Sequence, residues 1–384
     1  MKSNHRGDSL SKKIARFGYY MRIRAWFGES AFRRLRFCYL ASFEGGDAGV
    51  LTALGVPPEN QLAVDRDEMA LAQFKGKHPQ VPTFFGPIEK VNRRFDVVFL
   101  DLCNNLSDDI VSLCSRAALL CHGHGSIFVY AIQRGRELRD VFSQIEEHRK
   151  THIANDDLKG DAVVRRAADG RSQVVMHSME ASLKRKFLVP LSIGKSLYRS
   201  VDPDELAAGK PGTPMLIHGA VLTRSMSHKK SAQLKKQHIA DMQILYSVVR
   251  TDPERSYRLA AQRCLQLASE GYQMFSMDQR TGKQEAGGGP WFHRMCDVFL
   301  DEQGFLLDST GWEHNGFLAD GVAFAEDRGI DPALAFNIDA GTVAALKAHR
   351  TRGTYTDAVK KRRDSALARL EEEPIDGTIV RLAM

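Results

Sequence analysis

The residues of this chain best suited to handle a ligand lie between Glu44 and Asp67. Gly45 and Gly46 lie between the acids Glu44 and Asp47, and Gly49 follows two residues on, shortly after an apolar run within Arg36 to Ser42. Without a Cβ, glycines let the backbone approach a bound group closely. A second apolar run, Leu62 to Val64, finishes on Asp65 and Asp67. A carboxylate at the end of a second strand can accept hydrogen bonds from ribose hydroxyls. The chemistry this pattern points to is nucleotide binding, with either acid in the ribose role.

Other constellations offer less. Cys121, His122 and His124 are close in sequence, but their spacing is not that of a zinc site, and His293 and Cys296 are equally sparse. No metal is expected. Serines and histidines are scattered without a nucleophile elbow. The six cysteines form no CxxC pair and sit mostly in apolar segments, as reduced core thiols of a cytoplasmic protein do. No run of about 18 apolar residues exists, so no membrane span is expected. The oligomeric state is not legible.

The elements that must position the acids and glycines follow from the apolar pattern. The first strand leads through the glycine turn into a short helix ended by Gly55, then to the second strand at 61–65. Val81 to Phe85 is a short third strand. Phe95 to Asp101 carries a β-branched and aromatic run, which suits a central strand buried on both faces. Ser107 to Leu120 reads as a helix capped by Ser107 or Asp108, and 125–131 as the next strand. This alternation predicts an open parallel sheet with right-handed crossovers. Residues 135–186 are polar and mainly helical or irregular. Ser196–Val201 and Met215–Leu222 return to strand character as an antiparallel pair.

The order of elements from Arg36 to Arg224 resembles the class I S-adenosylmethionine-dependent methyltransferases. The resemblance covers about half the chain. It implies an α/β fold with a mostly parallel seven-stranded methyltransferase-like sheet, closed by that antiparallel pair. It implies S-adenosylmethionine as cofactor, held by Glu44, Gly45, Gly46, Asp47 and Gly49, by Asp65 or Asp67, and by Pro87 and Ile88 on the adenine side. Asp101 and Asn104 fall in the family's substrate-facing loop and are the implied catalytic residues, Asp101 as base or amino-group orienter and Asn104 as its hydrogen-bonding partner. The Asn/Asp-Pro-Pro-aromatic motif of amino-methyltransferases is absent, and Cys103 lacks a Pro-Cys context.

The formal net charge of +7 is unevenly spread. Residues 1–36 hold ten Lys/Arg against Asp8 and Glu29, a local excess of +8. Residues 1–35 read as a basic amphipathic helical arm with interleaved aromatics, either offered to a polyanion or docked on the body. Residues 36–224 form the α/β domain, and 225–384 an appended, mainly helical C-terminal domain. Within it, 321–355 resembles a helix-turn-helix with Leu334, Ile338, Val343 and Leu346 as its core. DNA or RNA is the expected partner, contacted by Arg33, Arg34, Lys347, Arg350 and Arg352. The leading expectation is a methyltransferase acting on nucleic acid, of a phage or mobile-element type. The rival is a DNA-binding or scaffold protein whose methyltransferase-like sheet has lost its chemistry.

Overall fold

The computed structural model describes residues 8–134, 161–201, 212–224, 275–277, 284–286 and 314–348. Helices α1 (Leu10–Phe27) and α2 (Glu29–Phe32) lead into β1 (Phe37–Leu40), α3 (Gly46–Ala53), β2 (Gln61–Asp65), α4 (Glu68–Lys77) and β3 (Thr83–Phe85). Then come β4 (Val97–Asn105), α5 (Asp108–Ala118), β5 (Ile127–Gln133), α6 (Asp161–Leu183), β6 (Leu188–Ser200) and β7 (Thr213–Arg224). A two-stranded piece follows, β8 (Phe275–Met277) and β9 (Gln284–Ala286), then α7 (His314–Glu326), α8 (Pro332–Phe336) and α9 (Ala340–Ala348).

The main sheet runs β3-β2-β1-β4-β5-β7-β6. Strands β1, β2, β3, β4 and β5 pair in parallel, and β7 is antiparallel to both β5 and β6. β4 lies at the centre, as its unbroken apolar run requires. The late pair is longer than its sequence suggests. β6 starts at Leu188, because Pro190 and Gly194 interrupt the apolar alternation without breaking the ladder, which shifts register between Ser192 and Gly194. β9 falls inside a stretch that reads as a glycine-rich loop. In the C-terminal sequence, 239–249, 257–271 and 356–373 read as helices and 291–308 as a hairpin, and all four lie outside the described residues.

Each face of the sheet has its own core. One joins β-strand side chains such as Cys38, Val98 and Tyr130 to α5 and α6. The other joins Phe37, Tyr39, Phe99 and Val129 to α1, α3 and α7–α9. The basic segment is therefore no arm. α1 is capped by Ser9 and buried along nearly its whole length, with Lys12, Lys13, Arg16 and Arg22 inside. Sequence periodicity identifies the apolar stripe of such a helix but cannot see carboxylates waiting elsewhere in the chain.

The helices at 314–348 also belong to this core rather than to a unit of their own. Phe17 of α1 meets Phe336 edge-on at 5.3 Å and Phe324 at 6.3 Å. α8 and α9 flank a turn in which Asn337 is left-handed. Val343 and Leu346 are buried as expected, but Leu334 is 53% exposed and Phe336 takes its place.

Tyr19 reaches across the sheet to donate to the Gly194 carbonyl at 3.0 Å, and its ring lies where a Cβ on Gly219 would stand. Gly219→Ala should therefore destabilise the fold by about 1–3 kcal/mol in thermal or denaturant unfolding. An unchanged midpoint would mean that α1 does not dock here.

Candidate active-site crevice

In an open parallel sheet, ligands bind at the carboxyl ends of the strands, where the strand order reverses. Here that point lies between β1 and β4. Leu40 pairs with Val64 and Tyr39 with Phe99. The register thus brings the ends of β2, β1 and β4 to one edge, carrying Asp65, the glycine turn and Asp101. Asp65 and Asp101 are about 10 Å apart across two strand spacings.

The glycine turn is formed as its composition demands. Gly45 is left-handed, with φ of 67°, and its N–H donates to the Ser42 carbonyl and, at 3.0 Å, to the Ser42 hydroxyl. Gly46 N–H points to the same hydroxyl at 3.4 Å. Ser42 Oγ in turn donates to Asp8 Oδ2 at 2.8 Å. The turn is thus wired to the residues just before α1.

Sequence reasoning missed what fills this edge. Arg16 of α1 is 2% exposed and meets three carboxylates. It grips Asp8 with both terminal nitrogens at 3.1 and 3.2 Å, Asp47 through Nε at 3.2 Å, and Asp101 Oδ2. Lys12 adds a 3.0 Å pair to Asp101, and Lys13 a 2.8 Å pair to Glu44. Burial alone would pull the Arg16 guanidinium down, but Asp47, Asp8 and Asp101 hold it above its ordinary range. Burial likewise pushes Asp8 up, and Arg16 with Lys12 overcomes it to leave the carboxyl below the usual range. At Asp47 burial wins over Arg16 and the 2.7 Å Tyr20 hydroxyl, and its carboxyl is pushed up to about 7. The signal available in sequence was the four-residue spacing of Asp8, Lys12 and Arg16 across the start of α1.

The expected site residues separate by their surroundings. Asp65 and Asp101 face the crevice edge, Asp101 with Oδ1 buried and unpartnered. Asn104 is exposed on the irregular stretch where Leu102, Cys103 and Asn104 oppose the single Ile132 of β5. Gly45 and Gly46 lie on the turn, yet a Cβ on Gly46 would overlap Arg16, and one on Gly45 would overlap the His78 ring. The others are engaged elsewhere. Asp67 caps α4, accepting from Met69 and Ala70 N–H; Asp47 is buried against Arg16; Ile88 lies in the second core; and a Cβ on Gly49 would stand 3.6 and 3.9 Å from the Leu334 and Ala335 carbonyls of α8. Pro87 is half-buried. One unforeseen residue joins the edge. Phe85, 63% exposed, pairs directly with Asp65 and so shares its face of the sheet.

The expected nucleic-acid contacts are dispersed. Arg33 is exposed and paired with Glu29 at 2.5 Å, Arg34 is exposed, and Lys347 is paired with Glu326 at 2.5 Å. Arg350 and Arg352 lie outside the described residues. Among the described residues no group of three or more His, Cys, Asp or Glu could hold a metal, and no helix is long and apolar enough to cross a membrane. Cys121 is buried, with its thiol pushed up to about 12 by burial.

The raised carboxyl of Asp47 has a consequence for pH. Its folded value exceeds that of an unfolded aspartate near 3.8, so the native state holds the extra proton between about 4 and about 7. The melting temperature should fall as pH rises through this window, and Asp47→Asn should flatten that fall while keeping the acceptor for Tyr20. A decline of equal steepness in the variant would remove Asp47 as its source.

No protein-family model matches the sequence, and no curated protein matches it. Solved structures of similar chain arrangement include an O-methyltransferase from Bacillus cereus in complex with SAH (10% identity, 53% of this chain and 80% of that one, TM-score 0.29). They also include an S-adenosylmethionine-dependent methyltransferase from Mesorhizobium loti (12%, 49% and 90%, TM-score 0.31) and the Methanococcus jannaschii fibrillarin pre-rRNA processing protein (11%, 49% and 66%, TM-score 0.28). Likeness at this level says nothing of substrate.

Proposed function

We propose that this chain is an S-adenosylmethionine-dependent methyltransferase, with its donor at the β1/β4 edge and a nucleic acid as acceptor. The observation that carries the reading is the meeting of the glycine turn, Asp65 and Asp101 at the switch point of a parallel sheet closed by an antiparallel pair. The residues at the β2–β3 side fit the nucleoside half of such a donor. Asp65 is half-buried and would accept from ribose hydroxyls, and the Phe85 ring beside it offers a flat apolar face. When bound, the donor supplies a methyl group on a sulfonium centre. Asp101 would orient the acceptor through Oδ1, while Lys12 and Arg16 fix Oδ2. Positioning of this kind, with little covalent help, is what in-line transfer asks of a protein. The net charge of +7 and the exposed Arg33 and Arg34 support an anionic acceptor.

A second reading, a scaffold without chemistry, draws on one observation. Arg16 stands against Gly46 where the amino-acid half of a donor would approach the turn. Isothermal titration of the full chain with S-adenosylmethionine and its demethylated product separates the two. The methyltransferase reading expects binding by the unmodified protein, weakened about tenfold or more by Asp65→Ala, since a charge-assisted hydrogen bond contributes about 1.5–3 kcal/mol. Heat signals absent for both ligands would leave the scaffold.

A further inference from the structure

The end of the sheet opposite the crevice carries an unexplained feature. Phe187, between the 3₁₀ turn Lys184–Lys186 and β6, has φ of 55° and ψ of 35° and is 72% exposed. A bulky side chain strains in this left-handed region, where glycine would not. Leaving the ring in water adds a second cost. Such an outlier is a reason to look for a role.

Its surroundings are cationic. Lys186 Nζ donates to the Leu119 carbonyl at 2.8 Å, and Arg94 donates to the same oxygen. Leu119 lines a cavity of about 370 Å³ together with Arg93, Arg94, Arg116 and Glu89. Glu89 already serves Arg66 at 3.3 Å and Arg116 at 3.6 Å. Burial and the adjoining Arg94 hold the Lys186 ammonium below its ordinary range. The side chains of Arg93, Lys184 and Arg185 are exposed, and no ion pair engages them among the described residues. Cations thus outnumber acids here.

We infer that this edge binds a single-stranded polynucleotide, with Phe187 stacking on a base and the cavity cations, with Lys184 and Arg185, holding the phosphates. A basic groove beside an exposed ring is the combination that sequence-tolerant strand binding uses. A lone ring among six cations offers little apolar area to a lipid surface, whereas one base needs only one ring face. The inference is independent of methyl transfer, because the edge lies away from Asp101 and its binding is measured without a donor.

Fluorescence anisotropy of the full chain with labelled oligo(U) RNA and oligo(dT) DNA of roughly 12 nucleotides, between about 50 and about 200 mM salt, tests it. Binding of either strand, weakening as salt rises, is expected. Phe187→Gly should weaken it about fivefold while the melting temperature holds or rises, because glycine accepts the left-handed backbone. Arg93→Ala with Arg185→Ala should reduce the salt slope by roughly 1.4, at about 0.7 per phosphate contact on single strands. The inference falls if neither strand binds, if Phe187→Gly binds normally, if its melting temperature drops so that the ring is a packing element, or if anionic phosphatidylserine vesicles bind in place of the oligonucleotides.

Discussion

The fold depends on one buried cation. Arg16 sits in the middle of α1, almost without solvent, and a charge so placed is tolerable only when paired and hydrogen-bonded on every side. Its partners come from the segment before α1, from the first turn of α3 and from the middle of β4, where its regular pairing with β5 is interrupted. The planar fork can serve three carboxylates at once through Nε and both terminal nitrogens, which a lysine ammonium could not do in the same geometry. Forming this contact fixes the angle of α1 across the sheet, and with it the docking of Phe17 against α7 and α8. The ion cluster and the apolar core therefore specify the same arrangement. Loss of any partner would leave uncompensated charge in both.

That economy has a chemical side. The residues nearest the switch point serve the fold, so the two halves of the edge differ. Toward β2 and β3, Asp65 is half-buried and Phe85 exposed. Toward β4, Asp101 Oδ2 is held by two cations and only Oδ1 is unpartnered. A ligand entering from the β3 side meets groups open to solvent, although Asp65 Oδ1 already accepts from Asp67 N–H at 2.9 Å. One reaching the turn must displace Arg16 from the face of Gly46 or lie above it. The side chain bridging α1 to the sheet thus also sets how deep a ligand can go.

Much of the sheet was legible in the sequence because buried parallel strands write themselves as unbroken apolar runs. Val97–Leu100 is the clearest case, and the parallel order of β1, β2, β4 and β5 follows from the helices between them. The start of β6 was not legible, since Pro190 and Gly194 imitate a loop. The crevice was half legible. Gly45 and Asp65 announce themselves by type and spacing, whereas Arg16 and Lys12 read as solvated charge until Asp47 and Asp101 arrive from elsewhere in the chain. Charge excess counts side chains without showing which are consumed internally. The same blindness applied to Leu334 and Gly49, whose surroundings are set by the meeting of α3 and α8.

Position also explains part of the basic edge, and the remainder is instructive. The carboxyl end of α5 presents orphan carbonyls and the negative end of a helix dipole, which together attract cations. Arg94 and Lys186 satisfy the Leu119 carbonyl and are accounted for by that alone. Arg116 and Arg66 are accounted for by Glu89. Helix capping asks nothing further of Arg93, Lys184 or Arg185, and it gives no reason to place a phenylalanine, rather than a glycine, in the left-handed position that ends the turn. Structural demands are met before these residues are reached. Their charge and the strained ring are a surplus that the fold does not use, on a face that the chemistry of the crevice does not touch.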